Sequence, residues 1–402
     1  MKKILFAAFA ASLLAAGCQK TEIVGTTPTN GPEMTFSTET KKITKAEGDE
    51  TTLTLPHPNA TGLQNLQAQG FNIWAYADYD ISTSANVNET SGIFDGMENW
   101  YVGYSNGGWS ANKAFYWPGK GKQLHFFAVS GSRKTNSSTT ENLSPADYNV
   151  TNTPLFSNNK TTTSNATEAK MTITGYEVSE NADDDLMVAD FLTQDQESKV
   201  NDVTGKVALN FRHTLSKVQF VFKTIELPDD LSVYIQKLTV TGLKNKGDLE
   251  VKASVPATKA DAVTTVVAPK WSNQSGTVNF VVESANAVTF ENGETIDYVM
   301  NDTTKEYDSN KGDRLTQNSN SEPLVTWLMM PQTITDTSTI EVFYLINNRQ
   351  FKAVFPLKRE AVAAWDENTF TKYTITLSPN LITFDANVSK DWEDAKEIID
   401  QN

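Results

Sequence analysis

The residue with the most specific chemistry is Cys18, the sole cysteine of the chain. It follows Ala15-Ala16-Gly17 at the end of an apolar stretch, Ile4 to Ala16, which Met1-Lys2-Lys3 precedes. A basic start, an apolar run too short for a comfortable span and small residues before a cut are the parts of a secretory signal. A thiol placed directly after the cut suits thioether attachment of a diacylglycerol, followed by N-acylation of the new terminus. Leu14 stands one place further upstream than in the commonest lipobox, with Ala15 in its place. Several acyl chains anchor stably where one would not. The bland alternative is a plain secretory signal with an incidental cysteine. Without a second cysteine no disulfide forms within the chain, so stability must come from cores and sheet hydrogen bonds.

Other chemistries find less support. The three histidines, His57, His125 and His213, have no zinc-ligand spacing and read as structural or surface residues. No Gly-x-Ser-x-Gly elbow and no glycine-rich phosphate loop occurs. Carboxylates are numerous, but no acidic pair stands out in an aromatic cleft pattern. Asp183-Asp184-Asp185 with Asp190 lacks the glycine and terminal glutamate of an EF-hand loop and reads as a solvated acidic turn. Asp302-Thr303-Thr304 fits a short O-glycosylation pattern that resembles those of Bacteroides envelope proteins, with Thr303 as acceptor; three residues recur often by chance. The stretch Trp100, Tyr101, Tyr104, Trp109, Tyr116, Trp117 could stack on sugars or fill a core. Trp100, Tyr101 and Tyr104, between Asn99 and Asn106-Gly107, are the candidates for an exposed ligand-binding loop. No cofactor, metal or enzymatic activity is expected.

The elements that must position these residues are strands. The 402 residues are 39% hydrophobic and 21% charged, enough for a packed core and too long for one ordinary sandwich. The net charge of −15 argues against nucleic acid as a partner. No apolar run after residue 18 is long enough to cross a bilayer as a helix. Residues 19–33 are rich in Thr, Gly, Pro and Asn and read as a flexible tether. Met34-Thr35-Phe36-Ser37-Thr38 alternates as an isolated short strand, followed by a polar linker with Lys41, Lys42 and Lys45. Strand patterns recur at 71–77, 124–129 and 185–189, with a long polar surface excursion from Ser132 to Ala169. A second block begins near Val207 and continues through 215–222, 233–240, 277–282, 324–330, 340–346, 351–355, 373–377 and 381–388. Glu360 to Trp365 could form one helical turn. The expected fold is all-β: two antiparallel β-sandwich domains in tandem, at 34–203 and 204–402.

The ordered set of Trp74-Ala75-Tyr76, Tyr116-Trp117-Pro118, Leu124-His125-Phe126-Phe127-Ala128, Asp185-Leu186-Met187-Val188-Ala189, Phe211-Arg212-His213-Thr214-Leu215-Ser216-Lys217-Val218, Trp365, Tyr373-Thr374-Ile375-Thr376-Leu377, Ile382-Thr383-Phe384 and Trp392 resembles the fimbrillin family of Bacteroidales, the Mfa-like or major-fimbrium-like proteins. The resemblance spans almost the whole chain. It implies two transthyretin-like sandwiches, export as an outer-membrane lipoprotein, and assembly into a type V pilus with other fimbrial subunits. It also implies that a protease removes the first strand and that a neighbour's strand fills the groove. On these residues the removable strand is that of Met34 and Phe36, with the cut between Lys45 and Ala46, or after Lys42. The donor strand is that of Ile382, Phe384, Ala386 and Val388. Cleavage sites in the family are often Arg, whereas this segment carries only Lys. The strand could instead be permanent. Further expected partners are the outer membrane, through the anchor, and a host or bacterial surface receptor or glycan. The alternative from another class is a surface glycan-binding lipoprotein of a nutrient-uptake system, using the Trp100 to Tyr104 stretch.

Overall fold

A computed structural model describes residues 31–40, 60–77, 93–111, 113–120, 122–131, 149–153, 168–178, 185–197, 199–200, 203–204, 206–224, 233–254, 265–283, 313–315, 325–346, 349–377 and 382–389. Cys18, Lys42, Lys45, Ala46, His57, Asp183, Asp184, Thr303 and Trp392 lie outside them. The elements run β1 (Thr35–Thr40), α1 (Gly62–Gln69), β2 (Phe71–Ala77), β3 (Trp100–Ser105), β4 (Gly108–Ala111), β5 (Gln123–Ser130), β6 (Asn149–Thr153), β7 (Glu168–Glu177), β8 (Met187–Ala189), β9 (Leu192–Asp195), β10 (Lys199–Val200), β11 (Val203–Thr204) and β12 (Lys206–His213). They continue with β13 (Ser216–Thr224), β14 (Val233–Leu243), β15 (Lys246–Ser254), β16 (Thr265–Ser275), β17 (Val278–Glu283), β18 (Asp313–Leu315), β19 (Val325–Met329), β20 (Gln332–Thr333), β21 (Thr339–Ile346), β22 (Arg349–Pro356), β23 (Ala364–Trp365), β24 (Phe370–Leu377) and β25 (Ile382–Ser389).

Among the described residues the protein is all-β apart from one short helix. Its first sheet runs β2-β3-β4-β1-β12-β8-β5-β9, and β5 pairs back to β2, so the sheet closes around its own core. Side chains alternate across a strand. Phe71, Ile73, Ala75 and Ala77 of β2 therefore enter the enclosed core with Phe126, Ala128, Val207, Leu209 and Phe211. Trp74 and Tyr76, on the opposite face, join a second cluster with Phe127 and Val129. Burial on both faces explains why Phe71–Ala77 is apolar throughout rather than alternating.

The second cluster fills the space between sheet β19-β13-β24-β25 and sheet β17-β14-β21-β22. Val218, Phe220 and Phe222 of β13 share the inward face, as their spacing predicts. In β14 the register slips between Ile235 and Lys237, a bulge that turns both Ile235 and Leu238 inward. A ladder of rings crosses this core: Phe220 stacks on Tyr373 (5.1 Å), Tyr373 on Phe384 (5.4 Å), and Phe384 on Phe355 (5.4 Å). A further sheet, β16-β15-β7-β6, draws strands from both halves of the chain and contributes Met171, Ile173, Leu249 and Val251 to the same cluster.

Several expectations change. Among the described residues two pairings are parallel, β1 with β12 and β13 with β24, so the sheets are not wholly antiparallel. The β1 and β12 partners lie far apart in sequence, which leaves ample chain for the crossover that a parallel pair needs. The expected boundary at 203/204 does not separate the sheets. β12 belongs to the first sheet, and allegiance changes after His213, at Thr214-Leu215. β6 and the start of β7 lie within the stretch expected to be a surface excursion. Glu360 to Trp365 is a turn closed by an Arg359–Val362 bridge and leading into β23, not a helix.

Gly131 ends β5 with φ of +78°, and a Cβ there would lie 2.1 Å from the Asp185 carbonyl oxygen. Gly131→Ala should cost about 2–4 kcal/mol, because it combines a left-handed backbone with a backbone clash. Urea denaturation of the variant measures this; a loss under about 1 kcal/mol would show that the β5 end yields.

Candidate strand-exchange site

The expected isolated strand is an interior one. β1 runs parallel to β12 from the Thr35–Lys206 pair to the Thr40–Phe211 pair, and antiparallel to β4 at Phe36–Trp109. Just before it, the Met34 N–H donates to the Phe115 carbonyl (2.7 Å). The Trp117 N–H donates to the Pro32 carbonyl (3.0 Å), so the end of the expected tether is also held. Met34 and Phe36 are buried in the enclosed core, and Phe36 meets Phe71 edge-on at 6.3 Å. The fit has a flaw at Thr38, whose buried hydroxyl finds no hydrogen-bond partner among the described residues.

β25 is also docked, in its own sheet. Among the described residues it is an edge strand, antiparallel to β24. Phe384 and Ala386 face the core, while Val388 is 39% exposed. The side chain of Ile382 lies outside the described residues; its backbone pairs with Leu377. Arg359 clasps the strand: its Nη2 donates to the Phe384 carbonyl (2.6 Å), and its guanidinium sits 4.4 Å from the Phe384 ring centre. The expected alternating face is thus partly occupied at home.

Trp100, Tyr101 and Tyr104 do not form an exposed loop. They lie on β3, where alternation sends Trp100, Val102 and Tyr104 to one face and Tyr101 to the other. Trp100 packs edge-on against Phe115 (5.3 Å) and Tyr104 against Trp109 (5.0 Å), both by the enclosed core. Tyr101 donates its hydroxyl to the Gln69 carbonyl (3.2 Å). The three rings do not converge on one platform.

The helix α1 was not expected. Its signal is Thr61-x-x-Gln64, a capping box: Gln64 N–H donates to Thr61 Oγ1 (3.2 Å) and Thr61 N–H to Gln64 Oε1 (2.9 Å). Beneath it lies a buried polar cluster. Asp185 Oδ1 is 2.9 Å from His213 Nδ1, and Asn65 donates to Asp185 Oδ2 (3.2 Å). A Cβ on Gly62 would meet His213 Nε2 at 2.6 Å, so the helix start must be glycine to settle on the imidazole. Asp185, expected in a solvated acidic turn, is fully buried, and Asp190 pairs with Arg212. Among the described residues no group of three or more His, Cys, Asp or Glu side chains could hold a metal ion. No helix among them is long and apolar enough to cross a membrane.

His125 is buried, stacked on Phe191 and 2.8 Å from Thr193 Oγ1, and burial pushes its imidazole down to about 3. The unfolded imidazole titrates near 6.5. The neutral ring therefore contributes stability that is fully present above pH 6.5 and lost as pH falls toward 3, at up to about 1.4 kcal/mol per pH unit. His125→Gln should flatten the stability difference between pH 7 and pH 4.5 by about 2 kcal/mol relative to the unaltered chain; an unchanged slope would place the titration elsewhere.

The chain matches the fimbrillin-like family over residues 60–392. It belongs to the fimbrillin-like family. No curated protein matches it. Among solved structures it is similar to a fimbrial protein from Bacteroides vulgatus, at 17% identity, covering 90% of this chain and 100% of that one with a TM-score of 0.46. A candidate cell-adhesion protein from Bacteroides ovatus gives 11% identity, 90% and 98% coverage and a TM-score of 0.43. A fimbrial assembly protein from Parabacteroides distasonis gives 11%, 80% and 91% with a TM-score of 0.32.

Proposed function

We propose that this protein is a structural or adhesive subunit of a surface fimbrium, exported as a lipoprotein through Cys18 to the outer membrane. In this reading β1 is a plug, removed by cleavage after Lys45 (or Lys42), and a strand of a neighbouring subunit takes its place. The observation that supports the reading is where β1 sits. It is an interior strand of the closed sheet, yet it lies N-terminal to the lysine-bearing segment, and every other strand among the described residues follows that segment. A single cut there severs β1 and leaves the rest of the chain continuous. Its departure would bare the backbone of β12 over six residue positions and an apolar slot beside Phe71, Trp109 and Phe211. Such an edge recruits a strand. The two units of the subunit would divide near Thr214, after β12.

Replacing Lys42 and Lys45 together by Ala tests the reading in the native host. The expected result is an intact N-terminal segment and loss of high-molecular-weight surface material, with wild-type amounts of folded monomer. Assembly at the wild-type level with β1 still attached would overturn it.

A further inference from the structure

The two ends of β1 are held differently. At the Met34 end the backbone is tied by three hydrogen bonds: Gly31 N–H and Met34 N–H donate to the carbonyls of Trp117 and Phe115, and Trp117 N–H donates to the carbonyl of Pro32. The Thr40 end leads into the lysine-bearing segment. Thr38, just before it, is half-buried, and its hydroxyl finds no hydrogen-bond partner among the described residues. Thr40 itself meets the start of α1. A Cβ on Gly62 would lie 3.6 Å from the Thr40 methyl and 2.6 Å from His213 Nε2.

The helix is also held unevenly. Its C-terminal end is pinned to the sheet: Tyr101 donates its hydroxyl to the Gln69 carbonyl (3.2 Å) and Ser130 donates to the Gly70 carbonyl (2.6 Å). Gly70, with φ of +68°, stands at that pinned end. The N-terminal end rests on the Thr61–Gln64 capping box and on the cluster of Asp185, His213 and Asn65, with Leu63 exposed. A helix of eight residues with Leu66 as its one buried apolar anchor is a unit of low local stability. His213, Asp185, Tyr101 and Ser130 all lie outside β1, so they stay in place when β1 leaves.

We propose that α1 is the latch of the slot. It lifts at Gly62, about Gly70, to let the Thr40 end of β1 go once the chain is cut, and it closes again on the strand that takes β1's place. The proposal rests on the strand-exchange reading above and adds the step that sets its rate. Release begins at the Thr40 end. Starting at the opposite end would break the backbone hydrogen bonds to Trp117 and Phe115 and draw Met34 and Phe36 from the core together. A cut in the lysine-bearing segment frees the chain at the Thr40 end, where α1 is the remaining hold. Coupling between two sites is reciprocal, so a strand in the slot steadies α1 as much as α1 steadies the strand. The buried cluster of Asp185, His213 and Asn65, which strand exchange alone does not use, is the seat of the latch.

The latch is tested with the chain from Cys18 onward, made without lipid and with a site-specific protease sequence in place of residues 43–49. A dye on Cys18, the sole cysteine, travels with the cut N-terminal fragment. After cleavage, checked by intact mass, an excess of unlabelled peptide of residues 31–42 is added. The rate at which dye leaves the protein peak on gel filtration measures release. Two substitutions change the latch in opposite senses without altering a wall of the slot. Thr61→Ala removes the acceptor of the Gln64 N–H. Gln64→Glu strengthens the capping box and places a negative charge at the helix start. The expected result is release about fivefold faster for Thr61→Ala and about twofold slower for Gln64→Glu. Hydrogen exchange of residues 62–69 should speed up about tenfold when the fragment is removed and slow again when the peptide is added. Equal release rates in the three chains, or faster release in both variants, overturn the latch and leave strand exchange standing. Exchange of α1 that is indifferent to the slot's occupancy overturns it as well. A fragment that the peptide displaces from none of the three chains overturns the exchange reading together with the latch.

Discussion

Phe36→Ala in the uncut chain should lower its unfolding free energy by about 3–5 kcal/mol, the range for truncating a buried phenylalanine. The ring is buried in the enclosed core, against Phe71, on a strand held by neighbours on both sides. The surrounding sheet is closed, so it cannot simply fold down over the gap, and the cost should fall in the upper part of the range. The same change weakens the plug without touching the slot's other walls. The uncut variant should therefore accept an added strand that the unaltered chain refuses. Urea denaturation followed by tryptophan fluorescence gives the first quantity, and co-purification of a tagged β25 peptide the second. A loss below about 1 kcal/mol would mean that β1 is a peripheral attachment, and the plug account would then lack its energetic basis.

Asp185→Ala should be comparably damaging, on the order of 3 kcal/mol, because it strips a buried carboxyl from two partners at once. His213 Nδ1 and the Asn65 amide lose this acceptor beneath α1, where both residues are buried. Asp185→Asn keeps the volume and one acceptor oxygen, and should recover about half of the loss. The readout that separates this from general instability is local: α1 should become the first segment cut by a non-specific protease in Asp185→Ala. Uniform proteolysis across the chain would show that the cluster does not hold the helix.

The sequence reveals the strands that bury one face or two, because their composition is dominated by β-branched and aromatic residues. Phe71–Ala77, 206–213 and the run of strands after 215 are legible for that reason. The closure of the first sheet is not legible. It depends on β1 meeting β12 across a long stretch of intervening chain, and a parallel pairing of distant segments leaves no local signature. β3 reads as a loop because Asn106 and Gly107, with positive φ, mark the turn that follows it, while the strand itself carries Gly, Ser and Tyr. The helix α1 carries a capping box, but its face offers one apolar anchor, Leu66, with Asn65 and Gln69 buried beside it. No hydrophobic period could announce it. The candidate site was half visible: the apolar alternation at Met34 and Phe36 marks a strand, and only the fold shows that it is interior. The aromatic stretch misled because ring-rich composition is the same in a binding loop and in the wall of a core.

The central claim is that β1 occupies a slot that a second subunit's strand fills after cleavage. It is tested most directly by the N-terminal sequence and intact mass of protein sheared from the surface of the native host. The account predicts chains that begin at Ala46, or just after Lys42, and that run as high-molecular-weight material. Chains that begin at a lipidated Cys18 and assemble with β1 still attached would contradict it.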